Sequence, residues 1–226
     1  MSFYDSVQKQ LFNAYTLVFS DGLDLSGHIP LPAGAKIIAA NHTNASDPYH
    51  FPALLDEKIH FLIIDITFAI PILGHLLKKT GQIKVDRQDG RPAFARACDL
   101  LQAGKTIAIF PEGKLCLRDE RVKGRSGAVR MALKTGVPII PLGLFVHPNN
   151  AISLSIQRLN GKPNGYWQFR GKCYARVGKP YHPDPSTSIA HETNELMGRI
   201  YTLVDQLTHK EAVYASPISL NHTPQW

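Results

Sequence analysis

The feature that most constrains this chain is a repeated alternation. Between residues 36 and 146, short apolar runs rich in β-branched residues take turns with stretches at helical spacing. The runs 36–40 (Lys-Ile-Ile-Ala-Ala), 106–110 (Thr-Ile-Ala-Ile-Phe) and 137–146 are nearly continuous apolar segments of strand length, so they read as strands buried on both faces. Further strands are expected at 59–64 and 82–85. Helices are expected at 47–55, 71–79, 92–102 and 126–134. The first has Asp47 as its N-cap and Pro48 at its first position, and Gly104 and Gly136 close the last two. Strand–helix alternation of this kind builds an α/β domain, a mostly parallel central sheet flanked by helices. Beyond His147 the pattern weakens to strands at 151–156 and 174–177 and a closing helix at 189–206.

The ends follow different rules. Residues 3–19 place Phe3, Tyr4, Val7, Leu11, Tyr15, Val18 and Phe19 at helical spacing. Such an amphipathic helix can pack its apolar face on the domain or lie in a membrane interface. The expected organisation is therefore this N-terminal helix within 1–30, a main domain over 31–212 and a loosely ordered tail over 213–226. No apolar run approaches the roughly 20 residues that span a bilayer. The longest, 61–77, is broken by Asp65, Pro71, Gly74 and His75. Met1–Lys9 carries no signal-peptide pattern. Cys98, Cys116 and Cys173 are odd in number and widely spaced, so they read as free thiols in a reducing compartment.

The formal net charge of +7 fits nucleic acid, an anionic membrane or a phosphorylated substrate. No zinc finger or aromatic–basic RNA-binding signature accompanies the charge, so nucleic acid is not expected as a partner.

Four segments carry the chemistry. In Asn41-His42-Thr43-Asn44-Ala45-Ser46-Asp47 a histidine and an aspartate sit in the loop after a strand. If the turn folds back, the carboxylate fixes the imidazole tautomer and leaves the other ring nitrogen free to take a proton from a hydroxyl. Taken alone, the pair fits a helix cap beside a loop histidine equally well. In Phe110-Pro111-Glu112-Gly113-Lys114, proline ends a strand, glycine permits an unusual turn, and a glutamate meets a lysine. In Gly81-Gln82-Ile83-Lys84-Val85-Asp86-Arg87, a strand delivers an arginine suited to phosphate. Val137-Pro138-Ile139-Ile140-Pro141 looks like wall. Each of the middle two fits a solvated surface ion pair when read by itself.

Taken in order, these segments resemble the glycerolipid acyltransferases, whose best-known members are the lysophosphatidic acid acyltransferases. That family shows N-H-x4-D, G-x-I-x-x-x-R, F-P-E-G and V-P-I-x-P, which Asn41-His42 with Asp47, Gly81 to Arg87, Phe110 to Gly113 and Val137 to Pro141 match across roughly residues 36–145. The resemblance implies His42 as general base and Asp47 as its orienter. It implies Glu112 and Gly113 at the acceptor, Arg87 at its phosphate, and Arg125 as a second phosphate ligand. The family often continues with Thr-Arg-Ser, where this chain has Lys114-Leu115-Cys116. Lys114 can supply charge there, but not an arginine fork.

The implied reaction is direct transfer from an acyl thioester, acyl-CoA or acyl carrier protein, to a hydroxyl of a lysophospholipid, with backbone N–H groups at the turns meeting the oxyanion. No metal and no cofactor are expected beyond the acyl thioester co-substrate. The expected setting is peripheral, on an anionic membrane surface at the cytoplasmic face. A Gly-x-Ser-x-Gly nucleophile is absent, Cys116 has no evident second base, and Ala103-Gly104-Lys105-Thr106 lacks the upstream glycine of a phosphate loop. A non-catalytic lipid-binding protein on the same scaffold, or an acyltransferase for another hydroxyl acceptor, remains the alternative.

Overall fold

The buried apolar runs do become the centre of the molecule. The computed structural model describes residues 3–55, 57–116, 120–155 and 164–215. In chain order the helices are α1 (Phe3–Phe19), α2 (Leu73–Lys79), α3 (Arg91–Gln102), α4 (Gly127–Thr135) and α5 (Ile189–Ala215). The strands are β1 (Leu23–Gly27), β2 (Lys36–Ala40), β3 (Ile59–Ile64), β4 (Ile83–Val85), β5 (Thr106–Ile109), β6 (Ile139–Val146), β7 (Ala151–Ser155), β8 (Asn164–Gln168) and β9 (Cys173–Val177). Seven of them form one sheet in the order β1-β9-β6-β2-β5-β3-β4, while β7 and β8 make a separate hairpin. Strands β6, β2, β5, β3 and β4 run parallel; β9 is antiparallel to β6, and β1 is parallel to β9.

Alternation along β2 divides the core between two layers. Ile37 and Ala39 join Ile107, Ile109 and Ile139 beneath α3, α4 and α5. Ile38 and Ala40 join Ala108, Ile140, Leu142 and Phe51 on the opposite face. A residue's neighbour along a strand points through the sheet, so one five-residue strand feeds both layers. On the second face α1 packs over the 3₁₀ helix Asp47–Ala53, with Phe12 edge-on to Tyr49 at 4.9 Å and Tyr15 stacked on it at 4.5 Å. The end of α1 remains in solvent at Leu17, Val18 and Phe19.

Three expectations need correction. The segment after Asp47 is a 3₁₀ helix interrupted by Pro52, and its side-chain cap is missing. Asp47 reaches back to Thr43 and Asn44 instead of forward into the helix. Strand β1 and the second hairpin strand β8 have no counterpart in the sequence expectation. The last residue of the expected 151–156 strand and the tail beyond 215 lie outside the described residues.

Pro141 shows how a proline sits inside a central strand. Its carbonyl faces β9, where it accepts the Gly178 N–H at 2.8 Å just past the end of that strand. The missing N–H therefore interrupts no bond to β2. Further along β6, the Asn41 side chain extends the ladder after β2 has ended. Its amide donates to the Leu144 carbonyl at 2.9 Å and accepts the Leu144 N–H at 2.7 Å, as a peptide unit would.

Candidate active site

Parallel strands deliver their C-terminal ends to a common edge, and the loops there gather polar groups. From β2 the chain enters Asn41-His42, and from β5 it enters Phe110-Pro111-Glu112-Gly113. Because β2 and β5 are adjacent, the two loops meet. Asp47 is completely buried, and its Oδ2 accepts N–H bonds from Thr43 at 3.0 Å and Asn44 at 2.9 Å. The same oxygen lies 3.1 Å from His42 Nδ1. With two backbone donors fixing the carboxylate, Nδ1 carries the proton toward Asp47 and Nε2 is left as the basic nitrogen. The His42 side chain is 19% exposed. Its ring stacks on Phe110 with centroids 4.0 Å apart and planes 13° apart.

Glu112 ties the two loops together. Its Oε2 accepts the His42 backbone N–H at 2.7 Å, and its Oε1 accepts the Tyr201 hydroxyl from α5 at 3.2 Å. The Cys116 N–H returns to the His42 carbonyl at 2.9 Å. Burial raises the Glu112 pKa, while the bonds from His42 and Tyr201 oppose that rise without cancelling it. The folded protein therefore holds this proton more tightly than the unfolded chain does. The group favours folding below the ordinary value of 4.5, and that contribution fades as pH climbs through the raised value. Glu112→Gln removes the titration but can still accept from His42 and donate to Tyr201. Its melting temperature relative to wild type is expected to rise steadily as pH increases from 4.5, measured by thermal scans across pH. A difference that shrinks with pH would mean that the hydrogen bonds to the carboxylate outweigh its burial.

The cations are distributed unequally. Lys114 is exposed and pairs with Glu120, so its charge is already answered within the protein. Arg125 lies against Gly113, which has φ +66°; a Cβ there would meet the guanidinium and its stem. Arg87 leaves the end of β4 exposed, with no ion pair among the described residues. It shares the edge with His42, but β4 is three strands from β2, about 14 Å at the usual strand spacing. The geometry thus brings His42, Asp47, Glu112 and Gly113 together, with Arg125 beside them and Arg87 across the edge.

Two expectations fare differently here. The backbone N–H groups of His42, Thr43, Asn44, Gly113 and Cys116 are all bonded within the protein, so these five are not open oxyanion donors. The Cys116 thiol is pushed up to about 12, by burial first and then by the Glu112 and Glu120 charges, and a thiol held protonated is a poor nucleophile. Sequence reasoning missed Tyr201, which meets Glu112 across 89 residues with no local pattern to announce it. It also missed the contact of Phe110 with the His42 ring, although both residues lay in quoted motifs.

A mostly parallel sheet whose C-terminal edge carries a histidine held by a buried carboxylate is an α/β domain with a candidate active site. The family model described as Acyltransferase matches residues 23–144, and the chain belongs to that family. Among curated relatives, the 1-acyl-sn-glycerol-3-phosphate acyltransferase of Helicobacter pylori is 29% identical over 176 residues, covering 76% of this chain and 70% of the relative. A Borreliella burgdorferi protein with the same description is 33% identical over 112 residues, 48% of this chain and 45% of that one. The match thus spans less than half of the Borreliella relative. Among solved structures, the 1-acyl-sn-glycerophosphate (LPA) acyltransferase PlsC from Thermotoga maritima superposes with a TM-score of 0.67 at 20% identity, over 90% of this chain and 79% of that one. That likeness establishes the shared fold.

Proposed function

We propose that this enzyme moves a fatty acyl chain from an acyl thioester to the free hydroxyl of lysophosphatidic acid or a close lysophospholipid. The observation that carries the reading is the His42–Asp47 pair at 3.1 Å, with Nε2 turned away from the carboxylate and the Glu112 loop beside it. His42 Nε2 takes the proton of the acceptor hydroxyl as its oxygen attacks the thioester carbonyl. The tetrahedral intermediate then collapses, the C–S bond breaks, and the imidazolium returns its proton to the departing thiolate. Asp47 holds the tautomer and offsets the imidazolium charge. Glu112 sets the position of the His42 backbone. Arg125 and Arg87 meet the acceptor phosphate, since Lys114 is already paired with Glu120.

The donor is acyl-CoA or acyl carrier protein. The enzyme works from the cytoplasmic face of an anionic membrane as a peripheral protein. Among the described residues no helix is long and apolar enough to cross a membrane. Exposed Leu17, Val18 and Phe19 at the end of α1, and Ile72 ahead of α2, offer apolar contact.

The test is thiol release from acyl-CoA and from acyl carrier protein, with and without lysophosphatidic acid in vesicles. Release that depends on the acceptor, together with labelled phosphatidic acid, is expected. Vesicle binding without release from either donor across a panel of lysolipids would replace this reading with a lipid-binding one.

A further inference from the structure

Asp47 has a second oxygen, and its situation differs from that of the first. Oδ2 takes the Thr43, Asn44 and His42 bonds, whereas Oδ1 is buried without a donor among the described residues. One turn on in the same 3₁₀ helix is His50, 1% exposed, with both ring nitrogens buried and without a hydrogen-bond partner among the described residues. Across from it Gln168 of β8, also 1% exposed, spends its amide nitrogen on the carbonyls of Gly171 (2.7 Å) and Arg170 (3.3 Å) and on Ser20 Oγ (3.2 Å). Those bonds fix the amide, so Gln168 Oε1 is a buried acceptor without a donor among the described residues. Side chains three apart in a 3₁₀ helix eclipse, which sets His50 on the Asp47 side of the turn. Burial lowers the His50 pKa, while the Asp47 charge and the Gln168 side chain act in the opposite sense. A neutral imidazole has one N–H and one acceptor nitrogen.

The unmet groups complement one another. We propose that His50 and Gln168 are positioning residues for Asp47: the His50 N–H donates to Gln168 Oε1, and the other ring nitrogen orients one ordered water that donates to Asp47 Oδ1. Such a water would satisfy polar groups that are costly to bury unpaired. The support is anchored in β8, outside the segment that the family model matches. Strand β8 docks on the site loop directly, through Ala45 N–H to the Tyr166 carbonyl at 2.8 Å and Gln168 N–H to Ser46 Oγ at 3.1 Å. The inference rests on Asp47 being the orienting carboxylate of the proposed reaction.

The test compares His50→Gln, which keeps a donor and an acceptor, with His50→Leu, or with His50→Met should the leucine variant not fold. The apolar variant is expected to lose about 10-fold in kcat, the scale on which partners of catalytic ligands act elsewhere, with both KM values within about twofold. The glutamine variant should recover most of that loss. The downfield proton resonance of His42 Nδ1–H should shift or broaden in the apolar variant and stay near wild type in the glutamine one. Wild-type kcat and an unmoved resonance in the apolar variant would overturn the proposal, as would equal impairment of both variants, which marks simple packing. A wild type that transfers no acyl group, yet shows the resonance changes, would sink the reaction and leave the positioning role standing.

Discussion

His42→Ala is expected to lower kcat for acyl transfer by about a thousandfold while leaving KM for the acyl donor within a few-fold, the range for loss of a general base. The expectation follows from what surrounds the ring. Nδ1 is engaged by Asp47, one face lies on Phe110, and the Nε2 edge is the basic site turned away from both. The backbone at position 42 is held independently, by Glu112 through its N–H and by Cys116 through its carbonyl. Alanine therefore deletes the proposed base without releasing the loop, and the melting temperature should move by no more than a few degrees. Steady-state kinetics with acyl-CoA and lysophosphatidic acid, alongside a thermal melt, gives both numbers. Normal turnover by the variant would remove His42 from the chemistry.

The second large effect divides by substitution. Asp47→Asn keeps shape but offers the imidazole no charge, so kcat should fall by about a hundredfold or more, with near-native folding. Asp47→Ala does something further. It strips the acceptor from the Thr43 and Asn44 N–H groups and from the His42 ring at a carboxylate that is itself fully buried. Unsatisfied buried donors cost about 1–3 kcal/mol each. A total of about 3 kcal/mol lowers the melting temperature by roughly 6–12 °C for a chain of this size. The pair of variants thus separates orientation of the base from integrity of the turn. Equal activity in asparagine and wild type would reduce Asp47 to a turn residue.

What could be read in the sequence follows from how locally each contact is made. Strands β2, β5 and β6 were legible because burial on both faces leaves a continuous apolar run. The His42–Asp47 pair was legible because six residues of one turn contain it. Strand β1 was not, since Leu-Asp-Leu-Ser-Gly has only two apolar positions and gains its place by pairing with β9, 150 residues later. The 3₁₀ form of Asp47–Ala53 was hidden because Pro48 permits a helix start, and only Pro52 hints that a regular helix cannot continue. Tyr201 and Gln168 carry no signal near themselves. Each is recruited across the fold by a carboxylate or a turn whose own motif says nothing about its neighbour.

The Asn41 clamp has a consequence for how such a site diverges. The amide reads only the N–H and carbonyl of residue 144, groups that nearly every amino acid supplies in the same form. A change at 144 is filtered by the volume its side chain needs in the apolar layer, and the clamp survives it. A change at 41 has no such latitude, because no other side chain presents a donor and an acceptor at that reach. Mutational drift is therefore expected to be lopsided, with one member of an interacting pair nearly fixed and the other wandering among apolar residues. Covariation between the two positions would be faint even though they hold each other in place.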